Sequence, residues 1–76
     1  MKDTLQFIIM QLVDHPDEVI IEEENNESHS KLIIHVNPED MGKVIGKQGR
    51  IIRSVRDLIK LIAAKHNIYV DVVTAE

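Results

Sequence analysis

Val44-Ile45-Gly46-Lys47-Gln48-Gly49-Arg50-Ile51-Ile52 (VIGKQGRII) is the stretch on which the reading of this chain turns. All three glycines of the protein lie between Gly42 and Gly49, with branched aliphatics on both sides of the pair Gly46 and Gly49. Glycine allows left-handed backbone angles and has no side chain to hold a ligand away. Gly46-Lys47-Gln48-Gly49 therefore reads as a four-residue joint between two apolar-faced helices. Such a joint opens the second helix, whose free N–H groups and positive dipole end point at whatever lies against it. Lys47 adds charge at the tip, and Lys43 and Arg50 flank it. The ligand that fits is an extended phosphate backbone, with Gln48 able to bond sugar or phosphate. Val44, Ile45 and Ile52 offer an apolar wall for bases.

Other phosphate motifs fail on spacing. A P-loop needs four residues between its first two glycines and Ser or Thr after the lysine. Here three residues separate Gly42 from Gly46, and Gln48 follows Lys47. The dinucleotide fingerprint needs a further glycine at position 44 and a preceding strand, and finds Val44 and a helix.

Charge supports an anion site although the chain carries a net −4. Residues 1–42 hold two bases and ten acids; residues 43–65 hold seven bases (Lys43, Lys47, Arg50, Arg53, Arg56, Lys60, Lys65) and one acid, Asp57. The basic segment is thus set against an acidic remainder that repels nucleic acid elsewhere. With 76 residues and 43% hydrophobic content, one domain over residues 1–76 is expected, and disorder of the whole is not. There is no cysteine, which excludes a disulfide framework and thiolate metal sites. The only early apolar run, Phe7–Met10, is too short for a signal peptide or membrane span, so the expected location is the cytoplasm.

Outward from the central stretch, the pattern predicts helix, strand, strand, helix, helix, strand. Leu5, Ile8, Ile9, Leu12 and Val13 form a helical stripe over residues 3–14, with Asp3 as N-cap and His15-Pro16 as terminator. Residues 18–24 read as a strand on Val19, Ile20 and Ile21, and 25–29 as a hairpin loop. Residues 31–36 alternate as a strand with Leu32, Ile34 and Val36 on one face. Asn37-Pro38 starts a short helix that stops at Gly46. The third helix spans 50–66, its apolar stripe being Ile51, Val55, Leu58, Ile59, Ile62 and His66, with Ile52 on the edge and Arg53, Arg56 and Lys60 on another flank. Asn67 ends it, and 68–73 form a last strand with Ile68, Val70 and Val72 inward. The fold class is α+β, with helices on one face of a three-stranded sheet.

A helix–GxxG–helix unit between two strands resembles the KH domains, whose GxxG loop clamps about four nucleotides of single-stranded backbone. VIGKQGRII matches their motif without gaps, and the extra N-terminal helix and strand match the type II arrangement. The resemblance implies that strand 32–36 is central, antiparallel to the first strand and parallel to the last, with three helices on one face of a mixed sheet. More narrowly, the chain resembles the small bacterial single-KH proteins. That resemblance implies a cytoplasmic binder of single-stranded RNA, an RNA chaperone or post-transcriptional regulator linked to cell-shape and cell-envelope control. It also implies a homodimer, or a heterodimer with a larger RNA-binding protein carrying its own KH domain.

The site residues follow. Gly46 and Gly49 are backbone-contact positions, Lys47 the first phosphate contact, and Gln48, Lys43, Ile45, Arg50 and Arg53 further contacts. Phe7 and Tyr69 are the only aromatics, which argues against stacking platforms and for weak binding by a single module, strengthened by pairing. At about 100° per residue, Leu61 and its neighbour Ala64 lie opposite Val55 and Ile59, where they can seed a symmetric helix contact. That allows a second reading, a dimerisation or scaffold module whose partner carries the RNA binding. No enzyme is expected, because Ser54 has no activating partner and no carboxylate pair marks a cleft. The four histidines have no metal-ligand spacing, and no cofactor is implied.

Overall fold

Six main elements follow in the expected order: α1 (Lys2–Met10), β1 (Ile20–Asn25), β2 (Ser30–His35), α2 (Met41–Ile45), α3 (Arg50–Lys65) and β3 (Val70–Thr74). The computed structural model describes all residues except Ser28 and Glu76. Single 3₁₀ turns occupy Pro16–Glu18, Pro38–Asp40 and Lys47–Gly49. The sheet order is β1-β2-β3, with β1 antiparallel and β2–β3 parallel, as the KH resemblance implied. Leu32 and Ile34 of β2, Ile21 of β1 and Val70 and Val72 of β3 face one layer of helices and are buried with Leu5, Ile9, Val44 and Ile59. The hairpin loop expected over residues 25–29 begins one residue later, because Asn25 still pairs with Ser30; Asn26 N–H donates to the His29 carbonyl at 3.0 Å, and Ser28 lies outside the described residues.

Several boundaries differ from the sequence reading, among them those of the strands expected at 18–24, 31–36 and 68–73, and Val36 lies just beyond β2. The first helix ends at Met10 rather than near Asp14. Gln11 and Leu12 donate back three residues, to Ile8 and Ile9, and so tighten the last turn. The N–H groups of Asp14 and His15 then bond the carboxylate of Asp40, at 3.1 and 3.0 Å, in place of the helix. Pro16 opens a 3₁₀ turn and has no helix to stop. Asp3 is not the cap: Met1 holds that position, and Asp3 acts in the first turn through the helix dipole.

The buried stripe of α3 is Ile52, Val55, Ile59 and Ala63, rotated by roughly half a residue step from the expected one. Ile52 is core and not edge; Leu58 and His66 are exposed, and Ile51 only packs against the core's rim. The helix has aliphatics on two overlapping arcs. Its contact with β3 turns the Arg56 flank to the strand and selects one of them. Ile68 is likewise exposed, because it belongs to the helix C-cap rather than to the strand. There Asn67 at φ +58° and the bonds Ile68 N–H to Ala63 and Asn67 N–H to Ala64 make a Schellman motif.

Asp40 is the one fully buried charged side chain among the described residues. Burial alone would raise its carboxyl, but the N–H groups of Asp14 and His15, with His15 and Lys43 nearby, outweigh that and hold it below the usual aspartate value. A depressed carboxyl adds stability above its unfolded value, and that stability is lost as pH falls through the folded value. The wild type is therefore expected to lose thermal stability as pH drops below about 4. Asp40→Asn, which cannot accept from both N–H groups, should be less stable at neutral pH and lose less on acidification. Melting curves of both proteins between pH 7 and 2.5 check this; parallel pH profiles would refute it.

Candidate nucleic-acid interface

The site is built where α2 ends and α3 begins. Gly46 N–H closes α2 on the Gly42 carbonyl at 2.9 Å, and the chain then turns through Gly46 at φ +76°, ψ 172°. This region of backbone space is essentially reserved for glycine. Gln48 (φ +58°) and Gly49 (φ +73°) follow in left-handed conformations, so three of the four loop residues have positive φ. Lys47 and Gln48 stand exposed at the tip, and no side chain caps the first N–H groups of α3. The loop thus sets an exposed ammonium beside the positive end of α3, whose first N–H, that of Arg50, bonds the Lys47 carbonyl.

Two arginines hold this loop from behind. Arg50 Nη2 donates to Gln48 Oε1 at 3.2 Å, and Arg53 Nη2 to the Gln48 carbonyl at 3.4 Å. Both therefore orient the tip and keep their charge within reach of a backbone lying on it. Lys43 is placed differently. It pairs with Asp14 at 3.1 Å and Asp40 at 3.8 Å, and the Asp14 carboxylate pushes its ammonium above the usual lysine value. Its first role is to tie α2 to the exit of α1.

The apolar wall shrinks on inspection. Val44 and Ile52 are core residues and cannot touch a base, so of the three only Ile45, half-buried at the end of α2, remains available. Leu61 and Ala64 are exposed on the outer side of α3, as the helical count placed them, and Leu61 is 70% exposed with Leu58 beside it at 46%. The aromatics lie outside the loop, Tyr69 packing edge-on against His29. An apolar groove of about 500 Å³ lies elsewhere, lined by His35, Val36, Pro38, Met41 and Ala75 and by none of the loop residues.

Sequence reasoning missed two features. Asp40 was not singled out, since its bonding partners lie 25 and 26 residues away. Arg56 and Lys60 were placed on a flank without a role, yet Arg56 Nε donates to the Val72 carbonyl at 3.2 Å and Lys60 lies 4.0 Å from Asp71. The flank itself was the available signal. What it faced was not legible.

Comparison with known proteins agrees with this geometry. The family model described as the KH domain of KhpA/KhpB matches residues 2–74. A protein of Clostridium acetobutylicum named RNA-binding protein KhpA is 52% identical over 67 residues, covering 88% of this chain and 89% of its own. Proteins of the same name from Clostridium perfringens and Halalkalibacterium halodurans are 46% and 43% identical, with 88% and 86% of this chain covered and 89% and 86% of their own. Loop, strand order and near full-length match coincide, and the chain belongs to the KhpA/KhpB family of KH domains.

Proposed function

We propose that this chain is an RNA-binding KH module that clamps the backbone of single-stranded RNA at Gly46–Gly49. One observation carries the reading: an exposed, glycine-bounded loop with three positive-φ residues opens α3 and presents Lys47 beside the positive end of that helix. The relatives' name, RNA-binding protein KhpA, supports RNA as the ligand. On this reading Lys47, Arg50 and Arg53 meet phosphates, Gln48 meets sugar or phosphate, and Ile45 abuts a base. The whole chain acts as one domain, as a binder and not an enzyme. Its placement in the cytoplasm, its action as an RNA chaperone and its link to cell shape and envelope rest on the family resemblance. Among the described residues no helix is long and apolar enough to cross a membrane.

Salt titration tests the phosphate clamp. Three phosphate contacts on a single strand give a slope of about −2 in log affinity against log salt, so binding of a short RNA should weaken roughly 20-fold between 50 and 200 mM. A flat dependence would refute the clamp.

A second reading draws on the exposed Leu58 and Leu61 of α3. An aliphatic pair on a helix otherwise faced with charge suits a helix–helix contact, with a second copy or with the larger KH-containing partner that the family resemblance implies. Ala64 next to Leu61 lets two helices approach closely. In light scattering the wild type should show twice the chain mass and Leu61→Asp the chain mass alone. An unchanged mass would remove Leu61 from the interface.

A further inference from the structure

The helices pack on one face of the sheet, so alternation turns Ile20, Glu22, Ile33, His35 and Val73 to the other. Register sets them side by side: Ile20 lies opposite His35, and Glu22, Ile33 and Val73 form one row. Ile20 is 62% exposed, and Ile33 and Val73 are half-buried. From here the apolar strip runs on into the groove of about 500 Å³, since His35 and Ala75 stand on the same face and line it. Val36, Pro38 and Met41 form the rest of its wall. Pockets that take up a ligand span roughly 300–1,000 Å³, and this groove falls among them. In the opposite direction the face turns polar, with Glu24, Lys31 and Asp71 abreast.

The rim of the groove is acidic. Glu22 bonds the His35 ring at 2.8 Å, Glu18 accepts from Asn37 Nδ2 at 3.0 Å, and Glu39 follows Pro38 in the chain. All three are exposed. Among the described residues their ion-pair partners are histidines: His35 for Glu22, and His15 for Glu18 and Glu39. The lysines of the neighbouring elements do not cancel this charge. Lys31 lies in the row between Glu24 and Asp71. Lys43 also feels Glu39, yet it is outnumbered by Asp14 and Asp40, with which it pairs. The corner therefore keeps a negative field around an apolar floor. A phosphate backbone or an anionic lipid surface is repelled there, whereas an apolar side chain set between lysines or arginines is attracted on both counts.

We infer that the groove between the ends of β2 and β3 and the start of α2 docks a segment of a partner protein in which bulky apolar residues are flanked by lysine or arginine. The test selects random twelve-residue peptides displayed on phage against the whole chain, then titrates the recovered peptides into nitrogen-15-labelled protein. Enriched peptides should carry an aliphatic or aromatic residue next to a base, and should shift the amide signals of Val36, Met41 and Ala75 most. Met41→Asp, which sets a charge in the groove, should weaken them at least about tenfold. Glu22→Lys/Glu39→Lys changes only exposed side chains and should weaken them at least about fivefold, so the test stands even where Met41→Asp fails to fold. No enrichment, enriched peptides without bases, or shifts centred on Lys47–Arg50 or on Leu58 and Leu61 would overturn the inference. So would groove signals that move with a short single-stranded RNA, which would assign the groove to nucleic acid. Groove signals that move on dilution of the chain alone would assign it to a second copy and overturn the inference equally.

Discussion

Lys47→Asp/Gln48→Asp is expected to bind short single-stranded RNA about 100-fold more weakly than the wild type while melting at nearly the same temperature. The substitution removes one positive charge and adds two negative ones at the tip of the loop, where both side chains are exposed. Even in the fully screened limit, a unit charge 4 Å from a phosphate is worth about 1 kcal/mol. Three such changes come to about 3 kcal/mol, or roughly two orders of magnitude in affinity. The fold should survive. Aspartate tolerates the left-handed conformation that Gln48 already adopts at φ +58°, and its carboxylate still offers Arg50 an acceptor. Both glycines are untouched. Fluorescence anisotropy with labelled RNA, beside a melting curve, is the measurement. Equal binding by both proteins would move the function from the loop to the Leu61 face of α3.

The second large effect concerns stability, and it divides glycines that look alike in the sequence. Gly46→Ala is expected to lower the melting temperature by about 15 °C or more. A Cβ at Gly46 would lie 2.5 Å from Ile51 Cγ1 and 2.8 Å from Ile51 Cβ, so the base of a branched side chain must move, not merely its tip. Backbone strain of about 1–3 kcal/mol at φ +76°, ψ 172° comes on top of an overpacking cost of similar size. At Gly49 the added Cβ meets nothing closer than an arginine nitrogen at 3.9 Å, and φ +73° with ψ 17° is ordinary left-handed helix. Gly49→Ala should therefore cost only about 1–2 kcal/mol. Gly42→Ala should stabilise by up to about 1 kcal/mol, since that site lies within α2, has open space around it and gains helix propensity. The order Gly42→Ala above wild type above Gly49→Ala above Gly46→Ala is the prediction. Equal melting of the two loop variants would mean that Ile51 does not seal the joint.

The element order and the glycine-bounded turn between α2 and α3 were legible because each rests on local chemistry: glycines three apart, an Asn-Pro helix start, alternation in residues 31–36. Asn37 does accept from Glu39 N–H at 2.8 Å, the kind of bond a neighbour-by-neighbour reading can foresee. The rest depended on partners far away in sequence. The end of α1 is set by Asp40, the face of α3 by Val72, and the engagement of Lys43 by Asp14. Val44 looked as suitable for a base wall as Ile45 did, and only packing told them apart. Periodicity gives the width of an apolar stripe more readily than its direction.

The parallel pairing of β2 with β3 also bears on how the proposed clamp comes into being. Ser30 pairs with Val70 and Ile34 with Thr74, so the ladder closes a loop of about 40 residues containing α2, the clamp and α3. The β1–β2 hairpin is local and can zip early, but it presents no site. Closing the long loop costs chain entropy before any non-local contact repays it, which makes docking of β3 the slow event of folding. Val72 and Val70 then complete the core under α3 in the same step. A nascent or partly unfolded chain would hold the GKQG sequence without the geometry, and affinity for RNA would arrive all at once, as the last strand locks.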